Sequence, residues 1–216
     1  MSGVTKTLVQ CDFDGTITEE DVSFMILDAF VGGDWRQFFK DYQEGRITVG
    51  EFNSRAFSMV KADRESLLRI ARGGVKVRPG FQELIDCCRK KGYRFVIVSN
   101  GLDIYIKEIL NGLGITGIEI FAARTEFGPG GIKVRYIGPD GNYLDNDVKA
   151  AYVDSFLKEG YRVVYIGDGR SDTLPAGKSH RVFATGNLVE HCRKANIACT
   201  PFTDFTEVVE ILESWW

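Results

Sequence analysis

Histidine is scarce in this chain, with only His180 and His191 among 216 residues, so a multi-histidine metal centre is excluded. The five cysteines, Cys11, Cys87, Cys88, Cys192 and Cys199, form no CxxC pair, and their odd number leaves at least one thiol unpaired in any disulfide scheme. Such usage fits a reducing compartment. No stretch approaches the ~18 uninterrupted apolar residues that mark a membrane span. Residues 1–10 lack the charged region, apolar stretch and cleavage site of a secretory leader. An excess of one charge is missing too: 27 basic against 30 acidic residues give a net charge of -3, with no long single-sign run to track a nucleic-acid backbone. The expectation is a soluble, cytoplasmic protein, monomeric or homodimeric, with no nucleic-acid or membrane partner. Acid–base and metal chemistry must then rest mainly on carboxylates.

Apolar residues are present in ordinary measure, 44% of the chain with 12% aromatic, enough for a substantial core. The length suits one domain carrying an insertion. Thr7–Cys11 reads as a buried strand ending in Asp12-Phe13-Asp14-Gly15-Thr16. Thr18, three residues before Asp21, resembles a capping box, and Val22, Met25, Ile26, Ala29 and Phe30 follow at helical spacing. Three further helices are predicted behind Asp34, Thr48 and Asp63, punctuated by Gly32-Gly33, Gly45 and Gly73-Gly74. After Arg78-Pro79-Gly80 helices alternate with strands: a helix from Phe81 to Lys91, a strand from Tyr93 to Val98 with the polar turn Ser99-Asn100-Gly101, and a helix over 102–113. Ile118–Phe121 reads as a strand, and residues from about 125 to 145 read as a small antiparallel flap turning at Pro139-Asp140-Gly141-Asn142. A helix over 149–159, a strand over 162–166, a short helix, a strand over 181–183 and two terminal helices complete the pattern. The predicted fold class is α/β: a mostly parallel, Rossmann-like sheet covered by helices on both faces, with a helical insertion at 17–76.

Ligands of open α/β sheets bind beyond the carboxyl ends of the strands. Asp12 and Asp14, then Ser99-Asn100-Gly101, then Gly167-Asp168-Gly169-Arg170-Ser171-Asp172 all fall there, with Lys149 opening the helix before the last of these strands. Like carboxylates gathered within a few ångström cannot all ionise without a cation. A hard divalent ion such as Mg2+, which prefers oxygen ligands, answers that cost. Other motifs fail: GxGxxG does not follow the first strand, and the P-loop-like Gly177-Lys178-Ser179 has Asp172 where the leading glycine belongs.

Asp-Phe-Asp-Gly-Thr-Ile-Thr at 12–18, Ser99, Lys149 and Gly-Asp-Gly-Arg-Ser-Asp at 167–172 resemble, in order and spacing, the four motifs of the haloacid dehalogenase (HAD) phosphatases. The likeness spans nearly the whole chain. Residues 1–16 and 77–216 resemble the catalytic core. The helical block at 17–76 is similar to the small cap of the phosphoserine-phosphatase-like subfamily, and the hairpin is similar to its flap. Within that subfamily, Thr-Ile-Thr-Glu-Glu-Asp at 16–21 resembles the methionine-salvage phosphatases that act on a 2-hydroxy-3-keto-5-methylthiopentenyl phosphate.

The resemblance implies a Mg2+-dependent phosphomonoesterase acting on a small phosphorylated metabolite. Asp12 would be the nucleophile that becomes an aspartyl-phosphate, and Asp14 the acid that protonates the leaving alcohol and then activates water. Ser99 and Lys149 would bind phosphoryl oxygens, with Asn100 and Gly101 beside them. Asp12, Asp14 through its carbonyl, and Asp168 would hold the metal, and Asp172 would support it directly or through water. Asp21 would face substrate from the cap.

Simpler readings exist for each residue. Asp12 and Asp14 taken alone are turn or capping residues, as Asp168, Asp172 and Ser99 can be. Lys133 rivals Lys149 but sits in the flap among alternating neighbours. Phe38, Phe39, Tyr42, Phe52 and Phe57 read as cap core, the thiols as buried apolar groups, and both histidines as structural or solvated. Phosphoserine phosphatases are expected to carry an Arg-Val pair in the cap that clamps the substrate carboxylate. Aligned from Glu44-Gly45-Arg46, that pair falls on Ala56-Phe57, with Arg55 one position early. A one-residue slip turns a helical side chain by about 100°, so an uncharged leaving group gains weight over phosphoserine. A phospho-accepting receiver module and a silent phosphate-binding protein are the rival classes. Asp14 and the inserted cap weigh against the first, and intact Asp12 and Asp14 against the second.

Overall fold

Leu8, Val9, Gln10 and Cys11 have no exposed surface, so the first strand is covered on both faces, as in a parallel sheet flanked by helices. This strand, β1 (Thr7–Cys11), lies in a computed structural model that describes residues 6–32 and 34–215. Residues 1–5, which include part of the expected core segment, lie outside the described residues, as do Gly33 of the Gly32-Gly33 break and Trp216.

Four helices follow β1: α1 (Val22–Val31), α2 (Trp35–Gln43), α3 (Val49–Ser58) and α4 (Arg64–Gly74). The chain continues through α5 (Phe81–Lys91), β2 (Arg94–Leu102), α6 (Asp103–Gly112), β3 (Glu119–Gly128), β4 (Gly131–Ile137) and β5 (Tyr143–Leu144). It ends with α7 (Val148–Lys158), β6 (Arg162–Gly167), a 3-10 turn at Arg170–Asp172, α8 (Thr173–Lys178), β7 (Arg181–Ala184), α9 (Leu188–Lys194), β8 (Thr200–Pro201) and α10 (Phe205–Glu213). The sheet order is β5-β4-β3-β2-β1-β6-β7-β8, parallel from β3 to β8 and antiparallel at β3–β4–β5. No described helix is long and apolar enough to cross a membrane.

Four local readings need correction. Asp21, not Thr18, caps α1, accepting the Phe24 N–H at 3.0 Å. Thr18 instead bridges Val77 in antiparallel fashion, and with Glu19 N–H to Lys76 O and Arg78 N–H to Ile17 O it makes a two-stranded neck through which the helical block leaves and rejoins the sheet. The polar turn at 99–101 is a bulge within β2: pairing with β3 slips between Val98 and Leu102, which re-aims Ser99–Gly101 at the sheet's carboxyl edge. The flap's first arm is continuous with the strand at Ile118–Phe121, because β3 exchanges its β2 partner for β4 halfway along its length. The two-residue β8 was too short to carry a sequence signal. Thr48, where a helix start was expected, forms a full capping box with Glu51.

Candidate active site

The turn after β1 is built on one carbonyl: Phe13 O accepts the N–H groups of Thr16, Ile17 and Thr18, which folds Asp12 and Asp14 back over the strand end. Gly15 closes the approach from motif to motif. Its φ is +74°, and a Cβ there would lie 2.5 Å from Asp168 Oδ2, so only glycine lets the turn come this near Asp168. Thr16 Oγ1 donates to Asp168 Oδ1 at 3.1 Å, and Arg78 donates to the carbonyls of Gly15 and Thr16 at 2.8 Å each, fixing the loop from the neck side.

Lys149 enters from the first turn of α7. Gln10, buried in β1, donates to the Lys149 carbonyl at 2.9 Å and so ties that turn beside Asp12. The ammonium lies 2.7 Å from Asp12 Oδ2 and 2.7 Å from Asp172 Oδ1, and donates to Ser171 Oγ at 3.1 Å. The lysine side chain is only 3% exposed. Burial alone would drive its proton off, but the two flanking carboxylates override this and hold its pKa above the ordinary value. Lys133, its rival in the flap, is exposed.

Asp12, Asp168 and Asp172 each place a carboxylate oxygen so that all three lie within 4.8 Å of one another. Burial, with Lys149 opposing and Asp172 adding to it, lifts Asp12 to about 7. Burial and the charges of Asp172 and Asp12 lift Asp168 to about 8. An oxygen-only, crowded and half-desolvated donor set of this kind fits a hard divalent cation. Asp172 has both oxygens occupied: Oδ1 accepts from Lys149 and from the Tyr165 hydroxyl at 2.6 Å, and Oδ2 accepts the N–H groups of Asp168 at 3.1 Å and Gly169 at 2.9 Å.

A cavity of about 610 Å³ opens over these groups. Asp12, Asp14, Ser99, Lys149 and Asp168 form its floor, and Asp21, Phe24, Phe39, Tyr42, Phe52 and Asn53 reach it from the helical block. Ser99 is buried, its hydroxyl accepting the Gly101 N–H at 3.0 Å. Asn100 also lines the cavity, and its carbonyl accepts from Asn53 Nδ2 at 3.1 Å and the Tyr136 hydroxyl at 2.7 Å, joining α3 and β4 to the strand end. Gly101 lies beside it. Asp21 combines its capping role with a place in the wall, and burial lifts it to about 6. Burial followed by the charge of Asp21 raises Asp14 well above the usual carboxylate range. A second cleft, about 870 Å³, meets the first along Tyr42, Val49, Asn100, Lys149, Arg170, Ser171 and His191, but Asp12, Asp14 and Asp168 line only the smaller one.

All nine residues singled out in the sequence thus gather at this edge. Of the presumed cap-core aromatics, Phe52 and Phe57 are buried as expected, while Phe39, Tyr42 and Phe52 also join Phe24 and Trp35 in a cluster of rings, all but Trp35 lining the cavity. Arg55 points away from it, exposed and 3.8 Å from Glu51. His191 stands at the cavity rim, where no sequence signal placed it. Tyr105, Asn53 and Tyr136 carried no sequence signal: each is buried within its element, and only its hydrogen bonds distinguish it from core.

The parallel sheet and the strand-end acids define a class, and residues 9–176 match the family of haloacid dehalogenase-like hydrolases: the chain belongs to that family. Among its relatives is a 2-hydroxy-3-keto-5-methylthiopentenyl-1-phosphate phosphatase of Geobacillus kaustophilus, 29% identical over 216 residues and covering 97% of both chains. The like-named protein of Geobacillus thermodenitrificans is also 29% identical, over 94% of both. A solved structure described as a phospho-aspartyl intermediate analogue of phosphoserine phosphatase superposes with a TM-score of 0.73 at 22% identity, covering 96% of this chain and 99% of that one, a likeness of fold.

Proposed function

We propose that this chain is a phosphoric monoester hydrolase that cleaves a small phosphorylated metabolite through an aspartyl-phosphate on Asp12. The observation that carries this reading is the buried Asp12–Lys149 pair at 2.7 Å on the floor of a cavity that Asp14 also lines. An Asp12 carboxylate oxygen bonds to phosphorus while the ester oxygen leaves, taking a proton from Asp14. Asp14 then draws a proton from water as that water attacks the same phosphorus, releasing phosphate and restoring Asp12. Lys149 fixes the rotation of the Asp12 carboxylate and, with Ser99 and the backbone of Asn100 and Gly101, faces the phosphoryl oxygens. Mg2+, bound by Asp12, the Asp14 carbonyl and Asp168, would neutralise charge on the phosphoryl group. Asp172, with four donors on its two oxygens, serves that site by holding Lys149 and the 168–169 backbone in place.

Residues 17–76 act as a cap on a core formed by 1–16 and 77–216, and the neck at Thr18 and Val77 is its attachment. The cap meets the leaving group with Phe24, Phe39, Tyr42 and Phe52 rather than with a guanidinium, since Arg55 faces solvent. That lining favours an uncharged, partly apolar leaving group, and 2-hydroxy-3-keto-5-methylthiopentenyl-1-phosphate, the substrate in the names of the two relatives, has this character. The test is a screen of metabolite phosphates with and without Mg2+, using Asp12→Asn as the control. Metal-dependent release of phosphate by the wild type alone supports the reading, and equal activity of the variant removes it.

A further inference from the structure

Both oxygens of Asp14 are tied, one from the start of the helical block and one from α6. Oδ1 accepts the backbone N–H of Val22 at 3.1 Å, and Oδ2 accepts the hydroxyl of Tyr105 at 2.5 Å. Tyr105 projects from α6 and has no exposed surface. Its hydroxyl also lies 2.9 Å from Ser23 Oγ, which is buried in the first turn of α1. A phenol carries one proton, and the shorter contact is to the carboxylate. Tyr105 therefore donates to Asp14 and accepts from Ser23, giving a one-way row of donors, Ser23 to Tyr105 to Asp14. Gly101 makes room for it: a Cβ at that position would collide with both Tyr105 Oη and Asp14 Oδ2. The β2 bulge thus leaves space for this hydrogen bond as well as for phosphate.

We propose that Tyr105, braced by Ser23 of the cap, is a positioning residue for proton transfer, turning the Asp14 carboxyl group so that its proton meets the leaving oxygen. This rests on the reading of Asp14 as the general acid. A carboxyl group on an aspartate has a broad, roughly two-fold rotation. With Oδ2 tied to the phenol and Oδ1 to Val22, one orientation is selected, and small misplacements of a reacting group cost up to about a hundredfold in rate. The brace lies partly in α1, so its geometry follows the seating of the cap.

Two esters of similar size separate this role from a merely structural one. A 4-nitrophenolate departs as a stable anion and needs little protonation, whereas the alkoxide from 4-nitrobenzyl phosphate requires it. For either ester kcat/KM reports only the steps through departure of the alcohol, before water attacks. In Tyr105→Phe the ratio of kcat/KM for 4-nitrobenzyl phosphate to that for 4-nitrophenyl phosphate falls by tenfold or more relative to wild type, and Ser23→Ala lowers it in the same sense by less. An unchanged ratio in Tyr105→Phe, with both esters slowed alike or neither slowed, overturns the proposal. Should Tyr105→Phe not fold, an unchanged ratio in soluble Ser23→Ala does so. Asp12→Asn, assayed alongside, loses both esters. If it keeps them, the covalent reading fails first and takes this proposal with it.

Discussion

Asp12 and Lys149 meet in a setting where neither is replaceable by a near neighbour. An amide at position 12 is nearly isosteric with the carboxylate but a poor nucleophile, so Asp12→Asn lowers phosphate release by about a thousandfold or more while far-ultraviolet dichroism stays that of the wild type. Activity within tenfold of wild type rules out covalent catalysis by Asp12. Lys149→Met lowers stability as well as turnover. It strands Asp12 and Asp172 as buried carboxylates without their shared cation, a loss of about 3–5 kcal/mol in a denaturant titration of the metal-free protein. A variant as stable as wild type would mean that Lys149 does not compensate their charge. The acids, Ser99 and Lys149 were legible in the sequence because their spacing puts each at a strand end or first helical turn. Tyr105 was not, because its partner Asp14 lies 91 positions away and nothing local sets a buried hydroxyl on an apolar helix face apart from core.

Elements set what the residues see. α3 packs against β4, and Asn53 and Tyr136 meet at 2.5 Å over the Asn100 carbonyl, so cap, flap and strand end share one polar junction. α1, α2 and α3 carry the aromatic wall, and Arg55 on α3 faces solvent. Phosphoserine, with two charges on its leaving group, should therefore be a poor substrate. Its kcat/KM falls at least tenfold, about 1.4 kcal/mol in transition-state binding, below that of an uncharged ketose or methylthiopentenyl phosphate. A preference for phosphoserine in side-by-side assays would show that the cap supplies a carboxylate contact these rings do not. The four helices of the block were readable from caps and 3.6-residue periodicity. The β2 bulge and the length of β3 were not, since both depend on which strand lies alongside, and sequence periodicity carries no record of pairing partners.

Across the whole molecule, crowded acids couple fold to pH. The ordinary value for Asp12 and Asp168 is 3.8, and burial lifts them to about 7 and about 8 in the metal-free fold. Between these limits the folded chain holds protons that the unfolded chain has released, so metal-free stability falls as pH rises from about 4 to about 8. Mg2+ favours the ionised carboxylates, and the rise in Tm that it produces over chelator should be larger at pH 8 than at pH 5; an equal rise at both would place the metal away from Asp12 and Asp168. Overall topology was legible from strand–helix alternation, as were the four helices that follow β1. The shape of the cavity between sheet and helices was not, because it depends on how two separately patterned blocks seat on each other. The central claim is that the phosphoryl group passes through Asp12. The most direct measurement is acid quenching of the wild type during turnover of 4-nitrophenyl phosphate with Mg2+, followed by peptide mass analysis. The account predicts one phosphoryl group on the peptide containing Asp12 and none in Asp12→Asn. Steady turnover with that peptide unmodified, or with the phosphoryl group on another residue, would contradict it.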